Sequence, residues 1–311
     1  MRRLVGAVVF ALAAGGASAQ TIGVTMARFD DVFLATLRDG MHAYAGTLDG
    51  IVLDVEDAED DARRQLEQVQ DFVAAGVAAM IVNPVDTDAA TVMSQAAADA
   101  GIPLVFVNRE PANVADLPAG QSFVGSDERQ SGTLEAEAVC RLLKAEGKGD
   151  GARVLVLVGL LGNSAARTRV ADVEAVAASE PCRFMRIVEE QPADWQRDQG
   201  RDRMAAWIAG GVAFDAVIAG NDEMALGAIE AMKAAGIPMA SVVVAGIDAT
   251  PAGLAAMQAG DLDVTVFQDA AGQGRGAVDA AVRLVRGEAV PARIDVPFSL
   301  VTPDMVPGAG N

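Results

Sequence analysis

TIGVTMARFDDVFLATLRDGMHAYAG, residues 21–46, decides the fold. Its opening TIGVTM is a short apolar run rich in β-branched residues, the composition of a buried strand. From Asp30 onward the apolar residues recur at helical spacing, and the stretch closes on Gly46, as helix ends prefer. A strand running at once into an amphipathic helix is the first half of a βαβ unit. The phrase then repeats along the chain.

Further strands are expected at Ile51–Val55, Ala79–Val82, Leu104–Val107 and Ser122–Val124, after a first at Ile22–Met26. A second series follows at Arg153–Val158, Phe184–Val188, Ala216–Ala219, Ser241–Ala245 and Val264–Phe267. Between strands lie Ala-rich amphipathic helices such as DDARRQLEQVQDFVAAG, residues 60–76. This rhythm predicts an α/β chain of two similar doubly wound parallel-sheet domains. No long Pro- or Ser-rich linker separates them, so short crossing segments should join them.

The ends and the bulk composition narrow the setting. MRR, then LVGAVVFALAAGG, then ASA before Gln20 is the pattern of a removed secretory signal peptide over residues 1–19. The formal charge of −19 disfavours nucleic acid as a partner. Cys140 and Cys182 could pair in an oxidising compartment, or be two small buried side chains. A lone His42 and no Cys/His cluster leave no typical zinc site.

In open α/β sheets, ligands sit beyond the carboxyl ends of the strands. Polar residues fall there at Asp31, Asn108–Arg109, Asn163–Ser164, Asn221–Asp222, Asp248 and Gln268. The set holds no nucleophile beside a base. It holds carboxylates, amides and, with Arg167, two guanidinium forks, and Phe33 and Trp195 join it. Hydroxyls both donate and accept, so such groups suit a neutral polyhydroxylated ring whose C–H faces pack on aromatic rings. On that reading the acid and aromatic residues of FDDVF, 29–33, belong together: Asp31 for hydroxyls, Phe33 as a ring wall opposite Trp195. Phe29 could rim the pocket and Asp30 could cap the helix.

Structural roles compete at several of these positions. Asp31 and Asn221 could be helix caps, Asn108–Arg109 a turn paired to Glu110 or Glu128, and Trp195 ordinary surface. Asp222 and Glu223 read as first-turn acids complementing a helix dipole, and Trp207 as core. GQGRGA, 272–277, fits a dinucleotide fingerprint, but only 34 residues follow it, and its glycines read better as close helix packing.

VNREP, GNSAAR, PADW, AGNDEMALGAIEAMK, GIDATP and TVFQDA together resemble, in order and spacing, the periplasmic sugar-binding proteins of ABC importers. The resemblance covers essentially all of the chain after the signal and is strongest to the inositol-binding branch. It implies the type I periplasmic binding protein fold, with lobes at 20–125 plus 268–297 and at 126–267 plus 298–311. Three crossovers, near Ser122–Asp127, Thr265–Gln268 and Pro297–Val301, would act as hinges. The implied ligand set is Asp31, Phe33, Asn108, Arg109, Arg167, Trp195, Asn221, Asp248 and Gln268.

What the resemblance implies for function is a monomeric, non-catalytic binder of a small neutral polyol, with myo-inositol favoured. An aldose such as ribose, xylose or glucose is the alternative. A membrane permease would be its partner, a chemoreceptor a further candidate, and no cofactor is expected. Galactose-type relatives carry a calcium loop where this chain has EGKGDGARV, too poor in oxygens at the right alternation, so no calcium is expected. A sugar-sensing repressor module would need a basic helix-turn-helix where the signal stands. A secreted sugar-acting enzyme would need a protonated general acid, which the nearby arginines oppose.

Overall fold

A computed structural model describes residues 19–306; all of the expected signal segment except Ala19 lies outside the described residues. The first lobe alternates β1 (Gln20–Met26), α1 (Val32–Ala45), β2 (Ile51–Asp57), α2 (Ala62–Ala75), β3 (Ala79–Val82), α3 (Ala90–Ala100), β4 (Leu104–Val107) and β5 (Gln121–Gly125). The second contains α4 (Glu128–Ala145), β6 (Ala152–Val158), α5 (Ser164–Ala178), β7 (Met185–Pro192), α6 (Arg197–Ala209), β8 (Ala216–Ala219), α7 (Asp222–Ala234), β9 (Val243–Ala245) and α8 (Pro251–Gln258). The chain ends on β10 (Thr265–Phe267), α9 (Ala270–Val285), β11 (Arg293–Asp295) and β12 (Ser299–Val301).

Two parallel sheets result. The first has the order β11-β5-β4-β3-β1-β2, the second β7-β6-β8-β9, while β10 and β12 form an antiparallel pair. β3 and β4, AMIV and LVFV, are buried along their whole length, as strands covered on both faces must be. Their side chains alternate: Ala79, Ile81, Val105 and Val107 join the core beneath α1 and α9, and Met80, Val82, Leu104 and Phe106 the core beneath α2 and α3. In the second lobe α4 and α5 cover one face of the sheet, α6 and α7 the other.

The α/β class with parallel sheets agrees with the sequence reading. β11 and β12 were not foreseen: each has three residues, too few for periodicity to register. Cys140 and Cys182 form a disulfide with a Cα–Cα distance of 5.7 Å, tying α4 to the turn before β7. Closing the 42-residue separation restricts the unfolded chain by roughly 4 kcal/mol in the chain-entropy picture. GQGRGA lies inside α9, where a Cβ on Gly274 would stand 2.4 Å from the Leu37 carbonyl oxygen. That glycine lets α9 press onto α1. Trp207 is buried in the second lobe's core.

Candidate functional site

The carboxyl ends of both sheets face a common cleft. Eight of the nine residues singled out from the sequence line it: Asp31, Phe33, Asn108, Arg109, Trp195, Asn221, Asp248 and Gln268.

The first lobe supplies one wall. Asp31 is the N-cap of α1 and accepts from the Leu34 N–H through Oδ1 at 2.9 Å, so one carboxylate oxygen holds the helix and the other remains for the cleft. Asp30 is exposed and paired with Arg28 instead. Phe29 packs against the core under the Arg38 guanidinium and does not line the cleft. Phe33, on the first turn of α1, lines the cleft while joining the core. Asn108 stands at φ 65°, a left-handed conformation Asn tolerates well, and its amide donates to Gln273 of α9. Arg109 is buried and donates to the Pro84 carbonyl at 3.0 Å rather than to Glu110 or Glu128. Burial pushes the Arg109 guanidinium down, against the pull of Asp31 and Asp60, and pushes Asp31 up.

The second lobe supplies the other wall. Asn163, buried, caps α5 at the Ala165 N–H. Asn221 caps α7 through Oδ1 to the Met224 N–H and clamps the Trp195 carbonyl through Nδ2. Capping and facing the cleft are therefore one arrangement at Asp31, Asn163 and Asn221, because three helix N-termini converge on the site. Trp195 sits at φ 66° beside Asp194 at φ 49°. Asp248 is at φ 119°; its carboxylate takes no hydrogen bond from a described residue, and burial holds it well above its ordinary range despite nearby Arg169.

The structure does not bring Arg167 to the cleft. Its side chain is half-exposed, donates to the Leu161 carbonyl and approaches Asp88 of the first lobe at 3.6 Å. Arg169 lines the cleft in its place. The reason is helical phase: α5 buries Ala165, Ala166, Arg169, Val173 and Val176, so position 169 lies on the inward stripe and 167 does not. That spacing was available in the sequence. Arg169 donates to Glu128 at 2.8 Å, to the Gly220 carbonyl at 2.6 Å and to Gln268 Oε1 at 3.5 Å, and lies 5.4 Å from the Trp195 ring. Burial would depress it, but Glu128, Asp248 and Glu135 hold it above its ordinary value. Glu128, Leu34 and Ala165 also line the cleft without having been anticipated. Glu128 opens a helix amid other acids, and nothing in its local sequence marks it.

Two buried donors, Trp195 Nε1 and Gln268 Nε2, have no partner among the described residues. Donors without acceptors and a carboxylate without donors can be met together by hydroxyl groups, each of which does both. Among the described residues no cluster of His, Cys, Asp and Glu could hold a metal ion.

Two sheets of doubly wound topology with a cleft of this chemistry between them define a solute-binding class. The family described as Periplasmic binding protein domain matches residues 22–289, and the chain belongs to it: it is a periplasmic sugar-binding protein of the ABC-importer type. It is 56% identical over 299 residues to the "Putative rhizopine-binding protein" of Rhizobium meliloti, covering 96% of this chain and 95% of that one. It is 31% identical to the ribose import binding protein of Escherichia coli, with 93% of each covered. Among solved structures, a solute-binding protein of Bacillus halodurans with bound myo-inositol is similar at a TM-score of 0.86 and 38% identity, covering 94% of this chain and 97% of that one. The Caulobacter myo-inositol binding protein is similar at 0.83 and 28%, with 94% and 96% covered.

Proposed function

We propose that this chain captures a cyclitol, myo-inositol in the first instance, between its lobes and presents it to a membrane permease. The observation that carries the reading is the matched set of cleft groups. Asp248 has open acceptor positions, Trp195 Nε1 and Gln268 Nε2 are unpartnered donors among the described residues, and Phe33 and Trp195 add aromatic lining. The inositol-bound neighbours and the rhizopine-binding relative support the choice of ring.

The lobes are taken as 20–125 plus 268–297 and 126–267 plus 298–311, with hinges near Ser122–Asp127, Thr265–Gln268 and Pro297–Val301. Ligand groups come from both lobes, so only the closed form meets every hydroxyl, and closure is the mechanism. The lobes already touch directly: Ser164 N–H donates to Thr87 Oγ1 at 3.2 Å and Ser164 Oγ to the Glu110 carbonyl at 3.3 Å. On this reading the ligand leaves unchanged, as it does from a carrier that only binds and releases.

The reading is tested by thermal melts of residues 20–311 with myo-inositol, ribose, xylose, glucose and galactose at millimolar concentration. A micromolar ligand in about thousandfold excess adds roughly 4 kcal/mol of stability. A shift with myo-inositol and none with the aldoses is the expected result. A shift with ribose alone would refute the cyclitol assignment and keep the transport role.

A further inference from the structure

Asp222 is the first residue of α7, yet it does not serve that helix's free N–H groups; Asn221 does. Its carboxylate is wholly buried and turns toward the segment that follows β9. Three donors converge on it: the Thr250 N–H at 2.7 Å, the Thr250 hydroxyl at 3.0 Å and the Thr265 hydroxyl at 2.7 Å. Thr265 Oγ1 in turn accepts the Ala249 N–H at 3.1 Å, and the Asp222 N–H donates to the Ile247 carbonyl at 2.7 Å. The turn 247–250 is thus held on both sides of Asp248 by this one residue and its threonine relay.

That turn needs holding. Asp248 lies at φ 119° and Ala249 at φ 52°, conformations L residues avoid unless their surroundings impose them. The sequence also clears space for the carboxylate. A Cβ on Gly246 would stand 2.6 Å from Oδ1, and one on Gly253 would stand 2.2 Å from Oδ2. Three donors demand a group that only accepts, which a carboxylate is and an amide is not.

We propose that Asp222 is a positioning residue for ligand recognition: it never reaches the cleft, but it fixes the turn that places the Asp248 carboxylate there. The proposal rests on the reading of Asp248 as a ligand group. The sequence reading of Asp222 as a first-turn acid of α7 stands, and this role is added to it.

Two measurements test it. Hydrogen exchange on the empty Asp222→Ala protein should quicken at Ala249 and Thr250 by roughly tenfold or more while the second lobe's core keeps its protection. Asp222→Asn, which keeps one acceptor, should fall between. With myo-inositol as probe, Asp222→Ala should weaken binding by roughly tenfold, and in an Asp248→Asn background it should cost less than about twofold more. An equal loss in both backgrounds, or unchanged exchange at 249–250, overturns the proposal. Should Asp222→Ala not fold, Thr265→Val removes the relay with little change of shape and carries the same expectations. If the wild type does not bind myo-inositol, the cyclitol reading fails, and the exchange result alone upholds or overturns the role of Asp222.

Discussion

The two walls of the cleft are built on different physical terms. The first-lobe wall fixes its polar groups by neutral or backbone contacts: Arg109 on the Pro84 carbonyl, Asn108 on Gln273, Asp31 on a helix N–H. The second-lobe wall adds a direct buried ion pair, Arg169–Glu128, and more positive-φ backbone than the single Asn108 of the first. Arg169 stands among Glu128, Asp248 and Glu135, all buried, and Trp195 and Asp248 both occupy positive φ. Strain of this kind costs on the order of 1–3 kcal/mol per residue and persists only where surroundings enforce it. The second wall rests on a charge pair in direct contact, whereas Arg109 in the first is bonded to backbone carbonyls.

The largest effect follows from that pair. Arg169→Ala leaves Glu128 without its partner at 2.8 Å and deepens the isolation of Asp248 and Glu135. Breaking a buried pair from one side costs about 3–5 kcal/mol, to be read by denaturant unfolding of the empty protein, and binding should vanish. Arg109→Ala forfeits bonds to carbonyls and should cost roughly 1–3 kcal/mol. If Arg109→Ala proves the more destabilising, the contrast between the walls is wrong.

Next in size is a pH effect, to which Asp222 and Asp248 contribute on the second wall and its support, and Asp31 on the first. Burial lifts Asp222 to about 6 and Asp248 well above its ordinary range. A carboxyl raised in the folded state adds stability that is complete below its unfolded value, about 3.9, and lost as pH rises through the folded one. The empty protein should therefore lose on the order of 2–3 kcal/mol from Asp222 between about pH 4 and pH 7. Melts across that range should show a shallower decline for Asp222→Asn. An identical decline in both proteins would remove Asp222 from the account.

Asp248→Ala comes third. Affinity for myo-inositol should fall roughly 30-fold or more by calorimetry, since hydrogen bonds to a charged group are worth about 1.5–3 kcal/mol. Stability should hold or rise at pH 7, because a buried carboxylate held above its ordinary range is a cost to the fold. Asp31→Ala on the opposite wall should lose affinity and about 1 kcal/mol of stability together, through its cap. Equal destabilisation by both would show that Asp248, too, is structural.

Much of this was legible in the sequence, for identifiable reasons. β4 and β8 fall at their expected ends because their four-residue apolar runs are bounded by Pro103 and Asn108 and by Asp215 and Gly220. The cleft residues were found because the strand-end rule points to helix N-termini, where a cap and a ligand group can be one side chain. Asp222 stands in the first turn of α7 as the sequence indicates; its bonds to the turn after β9 are not legible there, because burial is a tertiary property and Thr250 and Thr265 reach it from 28 and 43 residues away. Glu128 escaped for the same reason, its partner Arg169 lying 41 residues on.

Arg167 offers the smallest effect and the sharpest control. It sits two residues from Arg169 on the same helix with the same side chain, but its partner Asp88 is 71% exposed and 3.6 Å away. Exposed pairs of this kind are worth about 0–1 kcal/mol, and this one spans the lobes, so it bears only on the closed form. Arg167→Ala should change affinity by less than about fivefold, and by the same factor for every ligand that binds, since it does not line the cleft. The change should shrink further as salt is raised, because solvent screens the pair. A loss at Arg167 that rivals the loss at Arg169, or that differs among ligands, would mean that the guanidinium enters the cleft during closure and that the second wall has two arginines rather than one.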